Sequence, residues 1–358
     1  MSLKNQKRLF IILLIILLAV ALLNIANVTG KLILGQSNIK VDNGEIDLSS
    51  LNLNQKIAQM VIVRGDLQNI KAWKKLQIGG FHLFGRANEQ VFRDIIDEYQ
   101  KDRSVPFFIS ADLEGCVSPF VHYRNFTYTS EVDNTIKAFQ KGLEEGEYLS
   151  DLGFSINFAP VVDLDDDIWG CRTFPGNESQ ITELAQAYTL ALESKGVIGS
   201  IKHYPGKTLV IKDPHKFIVV VEIEEKDLFP YRYFFEEGEV GSVMVTHIIA
   251  SGEVDSEGVP SVTSKKIIDG IREDYNGLII SDEIHMLGLK NFFKTLDELY
   301  VAIFKAGNDI ILNFDNDPNE IQRMIDVVKK AVEEGEIPVS QIDDSVTRIL
   351  RAKGFSVK

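Results

Sequence analysis

Apolar residues in this chain come in short runs, and most of the runs end on a polar residue suited to chemistry. Six such segments read FFISAD (ending at Asp112), INFAPVVD (Asp163), IGSIKH (Lys202 and His203), VMVTH (His247), LIISDE (Asp282) and IILNFD (Asp315). Two earlier runs, MVIV at 60–63 and FHLF at 81–84, bring the candidate strands to eight. The stretches between them carry helical spacing. NEQVFRDIIDEYQ places Val91, Ile95 and Ile96 on one face, and TIKAFQKGLEEGEYLSDLG ends in Gly153. ITELAQAYTLALESKG, SKKIIDGIREDYNG and LDELYVAIFKAGND repeat the pattern, and a last helix is expected over 340–353. DLSSLNLNQKIAQM reads as a helix capped by Ser49 or Ser50. Strands alternating with helices imply a parallel sheet with right-handed crossovers. Eight such units predict an α/β fold, a (β/α)8 TIM-type barrel in a single domain. All strand C-termini then open on one face, where catalytic residues collect.

The first thirty residues break this rhythm. Lys4, Lys7 and Arg8 precede an apolar run from Leu9 to Leu23, continued through Ile25 and Ala26 and broken only by Asn24. That pattern reads as a signal peptide or signal anchor, at about 18 residues against the roughly 20 that span a bilayer. A buried core helix is the plainer alternative. The organisation predicted is therefore a signal segment or transmembrane anchor over 1–30, a tether over 31–45 and the barrel over 46–358. An extracytoplasmic protein, membrane-anchored or secreted, is expected.

Composition narrows the partners. A net charge of −14 over 358 residues argues against nucleic acid, whose phosphates call for basic patches. The two cysteines, Cys116 and Cys171, fall in the loops after the third and fourth strands. Those loops are neighbours on one barrel face, so either a disulfide joins them or they are two unrelated buried thiols.

Two stretches carry candidate chemistry. In IKHYPGKTLVIKDPH a strand ends in Lys202 and His203, Pro205-Gly206 turns the chain, and Asp213 and His215 follow two apart. A carboxylate beside an imidazole raises its pKa and orients it for proton transfer. The alternative is a surface turn. In NGLIISDEIHM, Asp282 ends a buried strand as either a nucleophile or charge stabiliser, or as the cap of the next helix. The acidic run 163–167 either binds calcium or, as the plainer reading, turns only Asp163 to the site and leaves the rest solvated. Trp169 is expected either to stack on a ligand or simply to pack.

The KHYPG stretch followed by Asp-X-His, with LIISDE further on, resembles glycoside hydrolase family 3, most closely its single-domain β-N-acetylhexosaminidase branch. LNQKIAQM, GGFHLFGR, GCRTF, SVMVTHI, AGNDIIL and VTRILRAK extend the resemblance over roughly 50–355. It implies a retaining glycosidase acting on terminal β-linked N-acetylglucosamine of cell-envelope glycans or peptidoglycan fragments, without cofactor or metal. Asp282 would form the covalent glycosyl-enzyme, and His215 paired with Asp213 would be general acid and base. Asp112, Arg172, Lys202 and His203 would bind sugar hydroxyls, and His247, near the pocket, would be a further substrate-binding residue. Three departures stand out. Lys207-Thr208 replaces the usual His-Gly, 116–120 lacks the usual arginines, and Glu283 stands in place of Asp.

The same residues admit other classes. A β-glucosidase or phosphorylase of the family is one, and a non-catalytic glycan-binding barrel is another. A zinc hydrolase using His203, His215, His247 and Asp282 lacks the His-X-His expected on the first strand.

Overall fold

The structure, a computed structural model, describes residues 38–207, 217–238 and 240–358. The apolar run 9–26 and the Asp213/His215 pair lie outside the described residues. Among the described residues no helix is long and apolar enough to cross a membrane.

The eight expected runs form one eight-stranded parallel sheet. Its strands are β1 (Val61–Arg64), β2 (Gly80–His82), β3 (Phe108–Ala111), β4 (Ile156–Asn157), β5 (Ile198–Tyr204), β6 (Ser242–Val245), β7 (Leu278–Ser281) and β8 (Ile311–Asn313). Neighbours in sequence are neighbours in the sheet, and β8 pairs with β1. A parallel bridge between Ile280 and Ile310 brings β7 to β8 and all but closes the barrel. Both faces of such a sheet are covered. That is why the strands read as continuous apolar runs rather than alternating ones: β3, β6 and β7 are buried at every position.

Local chemistry sets the helix ends. Asn52, not Ser49 or Ser50, caps helix Leu53–Gln59, in a reciprocal box with Gln55. Asp47 holds the serine pair in a separate 3-10 turn over Leu48–Ser50. Asn88, Asn134, Asn177 and Ser264 cap the helices that come after them, and Gly153 and Gly307 end theirs with a left-handed residue. The last helix, Val339–Ala352, leads to Lys353, whose amine donates to Gln59 Oε1 (3.0 Å) and the Gly79 carbonyl (2.8 Å) beneath β2.

Two features were not anticipated. The β-branched run after Phe217 forms a strand outside the barrel, Val220–Ile223, parallel to Ile249–Gly252. β4 is also shorter than its apolar run, because Pro160 has no N–H for the ladder. Val161 rejoins the neighbours only through isolated bridges to Thr173 and Lys202. The compact unit runs from Ile39 to Lys358, and Glu45–Ile46 pairs with Ser356–Val357.

Candidate active site

The chemistry gathers where the barrel strands end. A cavity of roughly 240 Å³ there is lined by Asp112, Glu114, Trp169, Arg172, Lys202, His203, Asp282 and Glu283, with Phe158, Met244 and Phe314 among its apolar walls.

Lys202 and His203 are consecutive on β5, yet both reach the site. The β5–β6 register shifts between Ile201 and Tyr204, and such an irregularity re-aims side chains beside active sites. Lys202 Nζ lies 2.8 Å from Asp112 Oδ1 and 2.9 Å from Glu114 Oε2. Arg172 Nη2 meets the same Glu114 oxygen at 2.9 Å. Two cations and two carboxylates thus form one balanced cluster. Lys202, Arg172 and Glu114 are buried, and Asp112 is the most exposed member of the four. Burial opposes ionisation of Asp112, but Lys202 overrides it with help from His82 and Arg172, so its carboxyl stays below the ordinary range. Burial likewise disfavours the Lys202 cation, and Asp112 and Glu114 more than compensate, leaving its pKa raised.

Beneath this layer, His203 Nδ1 is 3.0 Å from Asp163 Oδ2, and its Nε2 is 3.3 Å from Arg172 Nη2. Burial raises the Asp163 carboxyl to about 7. His82 supports Asp112 from the other side, with Nε2 3.4 Å from Asp112 Oδ2 and Nδ1 3.2 Å from Ser110 Oγ. Its ring lies between Phe158 and Phe314. Burial there lowers its pKa to about 4, so it is neutral at physiological pH.

The loops carrying these groups are locked together. After β3, Glu114 and Val117 exchange backbone hydrogen bonds of 2.9 and 3.1 Å around Gly115. Gly115 has φ +62, and a Cβ there would fall 2.0 Å from the Cys171 carbonyl; only glycine allows that contact. Cys116 and Cys171 form a disulfide, with Cα atoms 5.7 Å apart. In the second loop the Asp166 carboxylate accepts from the amides of Trp169 (2.8 Å), Cys171 (3.0 Å) and Arg172 (2.9 Å). Asp166, expected to be merely solvated, is therefore the knot of the loop that presents Arg172. From the barrel side, Asn157 on β4 accepts from Leu113 N (2.9 Å) and donates to Leu113 O (3.0 Å). It also bonds Tyr188 Oη, which donates to the buried Glu145. Leu113 stands between the two carboxylates, so Asn157 fixes the height of both.

On the opposite wall, Asp282 comes directly after β7. Its Oδ1 accepts from Glu283 N at 2.7 Å. The capping alternative is not realised, because the next helix, Leu287–Phe292, begins after Met286. Glu283 Oε1 accepts from His285 N (2.8 Å) and Phe314 N (3.3 Å), and burial raises this carboxyl to about 7. His247, a further expected substrate-binding residue, has its Nε2 2.8 Å from the Glu283 carbonyl, and it is not among the described residues lining the cavity. The Asp315 carboxylate accepts from Asp317 N in the next turn and is likewise not among them.

Asp112, Arg172, Lys202, His203 and Asp282 therefore line one cavity. Asp213 and His215 lie beyond the described residues. The chain on either side is anchored: Lys207 pairs with Asp227 (3.1 Å) and Glu224 (3.2 Å), and Gly288 lies against the Phe217–Ile218 backbone. Glu114, His82 and the Asp163–His203 pairing were not singled out from sequence. Glu114 stands two residues past Asp112 in a loop, and nothing local signals that it faces Lys202. Among the described residues no group of three or more His, Cys, Asp or Glu side chains is disposed to hold a metal ion.

Comparison with known proteins agrees with this geometry. The chain is 30% identical over 226 residues to "Beta-hexosaminidase LpqI" of Mycobacterium tuberculosis, a match covering 59% of this chain and 57% of that protein. The chain thus spans little more than half of that curated relative. A family 3 β-N-acetylglucosaminidase from Paenibacillus sp. superimposes with a TM-score of 0.76 at 25% identity, over 85% of this chain and 62% of that one. A GH3 family member from Mycobacterium smegmatis does so with a TM-score of 0.77 at 24% identity, over 86% and 99% respectively, and shows the shared fold. The model of the glycosyl hydrolase family 3 N terminal domain matches residues 52–352. That span takes in all eight barrel strands and every described wall of the cavity, and the chain belongs to glycosyl hydrolase family 3.

Proposed function

We propose that this protein is a retaining glycosidase that removes terminal β-linked N-acetylglucosamine, with Asp282 as nucleophile and His215, paired with Asp213, as acid and base. The observation that carries the reading is that Asp282 shares one cavity with the charged cluster of Asp112, Glu114, Lys202 and Arg172. Such a cluster offers donors and acceptors at fixed positions for sugar hydroxyls, while the carboxylate opposite addresses the anomeric carbon. Asp282 attacks that carbon as the bond to the leaving oxygen breaks, and His215 protonates this oxygen. Water then gives a proton to His215 and displaces Asp282, regenerating both groups. The similarity to a β-hexosaminidase and to a β-N-acetylglucosaminidase supports the acetylhexosaminide as the sugar.

Cell-envelope glycans or peptidoglycan fragments are the substrates we assign, met outside the cytoplasm with 1–30 as anchor or signal. The basic-then-apolar N-terminus supports this placement, and so does the disulfide, which persists in oxidising compartments.

The test is hydrolysis of an aryl β-N-acetylglucosaminide beside the matching glucoside. Asp282→Asn should abolish turnover. His215→Ala should slow it and respond to azide, which replaces the base-activated water. A folded protein inert on both substrates would refute the reading.

A further inference from the structure

The chain has two tryptophans. Trp73 belongs to the core at 1% exposure, whereas Trp169 is 49% exposed while lining the cavity. A lone exposed aromatic needs no explanation; its setting does. The amide of Trp169 is held by Asp166, and the amides of Cys171 and Arg172 are held by the same carboxylate. Cys171 is then tied covalently to the neighbouring loop, and Arg172 is paired with Glu114. The backbone beneath the indole is therefore fixed from both sides, yet the ring is left out of the core. The Arg172 guanidinium lies 6.0 Å from the ring centroid, at the limit of a cation–π contact. Arg172 itself is buried at 6% exposure, so the ring stands outward of it.

We infer that Trp169 is a carbohydrate platform at the cavity mouth, stacking on the sugar to which the reactive N-acetylglucosamine is joined. This rests on the glycosidase reading above. Hydroxyls of a sugar seated in the cavity are met by Asp112, Glu114, Lys202 and Arg172. The unit that projects outward is the next sugar of the glycan, and its apolar C–H face complements an aromatic face held rigid before binding. Trp169 thus selects for the sugar on the leaving side of the cleaved bond, not for the N-acetylglucosamine that is released.

The experiment titrates the full chain carrying Asp282→Asn with N-acetylglucosamine and with N,N′-diacetylchitobiose. Calorimetry is read beside tryptophan emission. Because Trp73 is buried, the emission change on chitobiose binding is expected to come from Trp169 and to vanish in Trp169→Phe. Trp169→Ala should weaken chitobiose about tenfold and the monosaccharide less than twofold, while Trp169→Phe should stay within about threefold of the parent. Equal weakening of both sugars would overturn the inference, since the ring would then only prop Arg172. So would unchanged binding of both. If the parent bound neither sugar, the acetylhexosaminidase reading itself would fall, and the platform with it.

Discussion

His203 turns its Nε2 toward the guanidinium of Arg172, 3.3 Å away. An arginine nitrogen only donates, so this Nε2 must accept, and the ring proton sits on Nδ1, facing Asp163. The pair resembles an acid–base dyad, but its outward nitrogen is occupied by a cation. It serves to aim Arg172 rather than to deliver a proton. Asp163→Asn, which can offer an N–H to Nδ1, should release this tautomer and loosen Arg172. We expect KM for an aryl β-N-acetylglucosaminide to rise about tenfold with a smaller change in kcat. Nitrogen NMR of His203 should show the proton leaving Nδ1.

Glu283 makes stability pH-dependent in a defined direction. Its carboxyl is raised from 4.5 to about 7 by burial, so the folded state keeps a proton that the unfolded chain releases. The stabilisation is complete below about pH 4.5 and is lost as pH rises through about 7, a fall of about 3 kcal/mol from this group. Glu283→Gln does not titrate there. Urea unfolding at pH 5 and pH 8 should show the parent losing more stability than the variant; equal losses would refute the assignment.

Asn157 acts on the site without touching the cavity. Removing its amide in Asn157→Ala leaves both polar groups of Leu113 and the Tyr188 hydroxyl short of a partner. A loss of about 2–4 kcal/mol in unfolding free energy is expected. At a temperature where the variant is folded, KM should rise more than kcat falls, because Asp112 and Glu114 flank the released residue.

The disulfide closes a loop with a sequence separation of 55. Constraint of the unfolded chain over such a loop is worth about 4 kcal/mol. Reduction, or Cys116→Ser with Cys171→Ser, should lower the urea midpoint accordingly. A midpoint unmoved by reductant would show that the bridge adds nothing to the loops already joined by Glu114 and Arg172.

Legibility in the sequence depends on which contacts are local. Eight apolar runs bounded by polar ends are a local signal, and all eight became barrel strands. Topology then carried Asp112, Lys202, His203 and Asp282 to one face with no further information. Glu114 and His82 were not legible, because their partners are distant in sequence: Lys202 and Arg172 for one, Asp112 and Ser110 for the other. His247 shows the same limit: its Nε2 lies on the carbonyl of Glu283, 36 residues away, a contact that no local pattern signals. Asp166 looked like one more charge in an acidic run, but three backbone amides converge on it.

Gly115 and Cys171 meet with no room for even a methyl group between them. The carboxylate-bearing loop and the arginine-bearing loop are therefore fitted to each other at this point. A side chain introduced at Gly115 would have to displace the Cys171 backbone, so the turn carrying Glu114 and the turn carrying Arg172 are set together. Grafting new substrate preference onto this barrel calls for exchanging 112–117 and 166–172 together, as a single cassette.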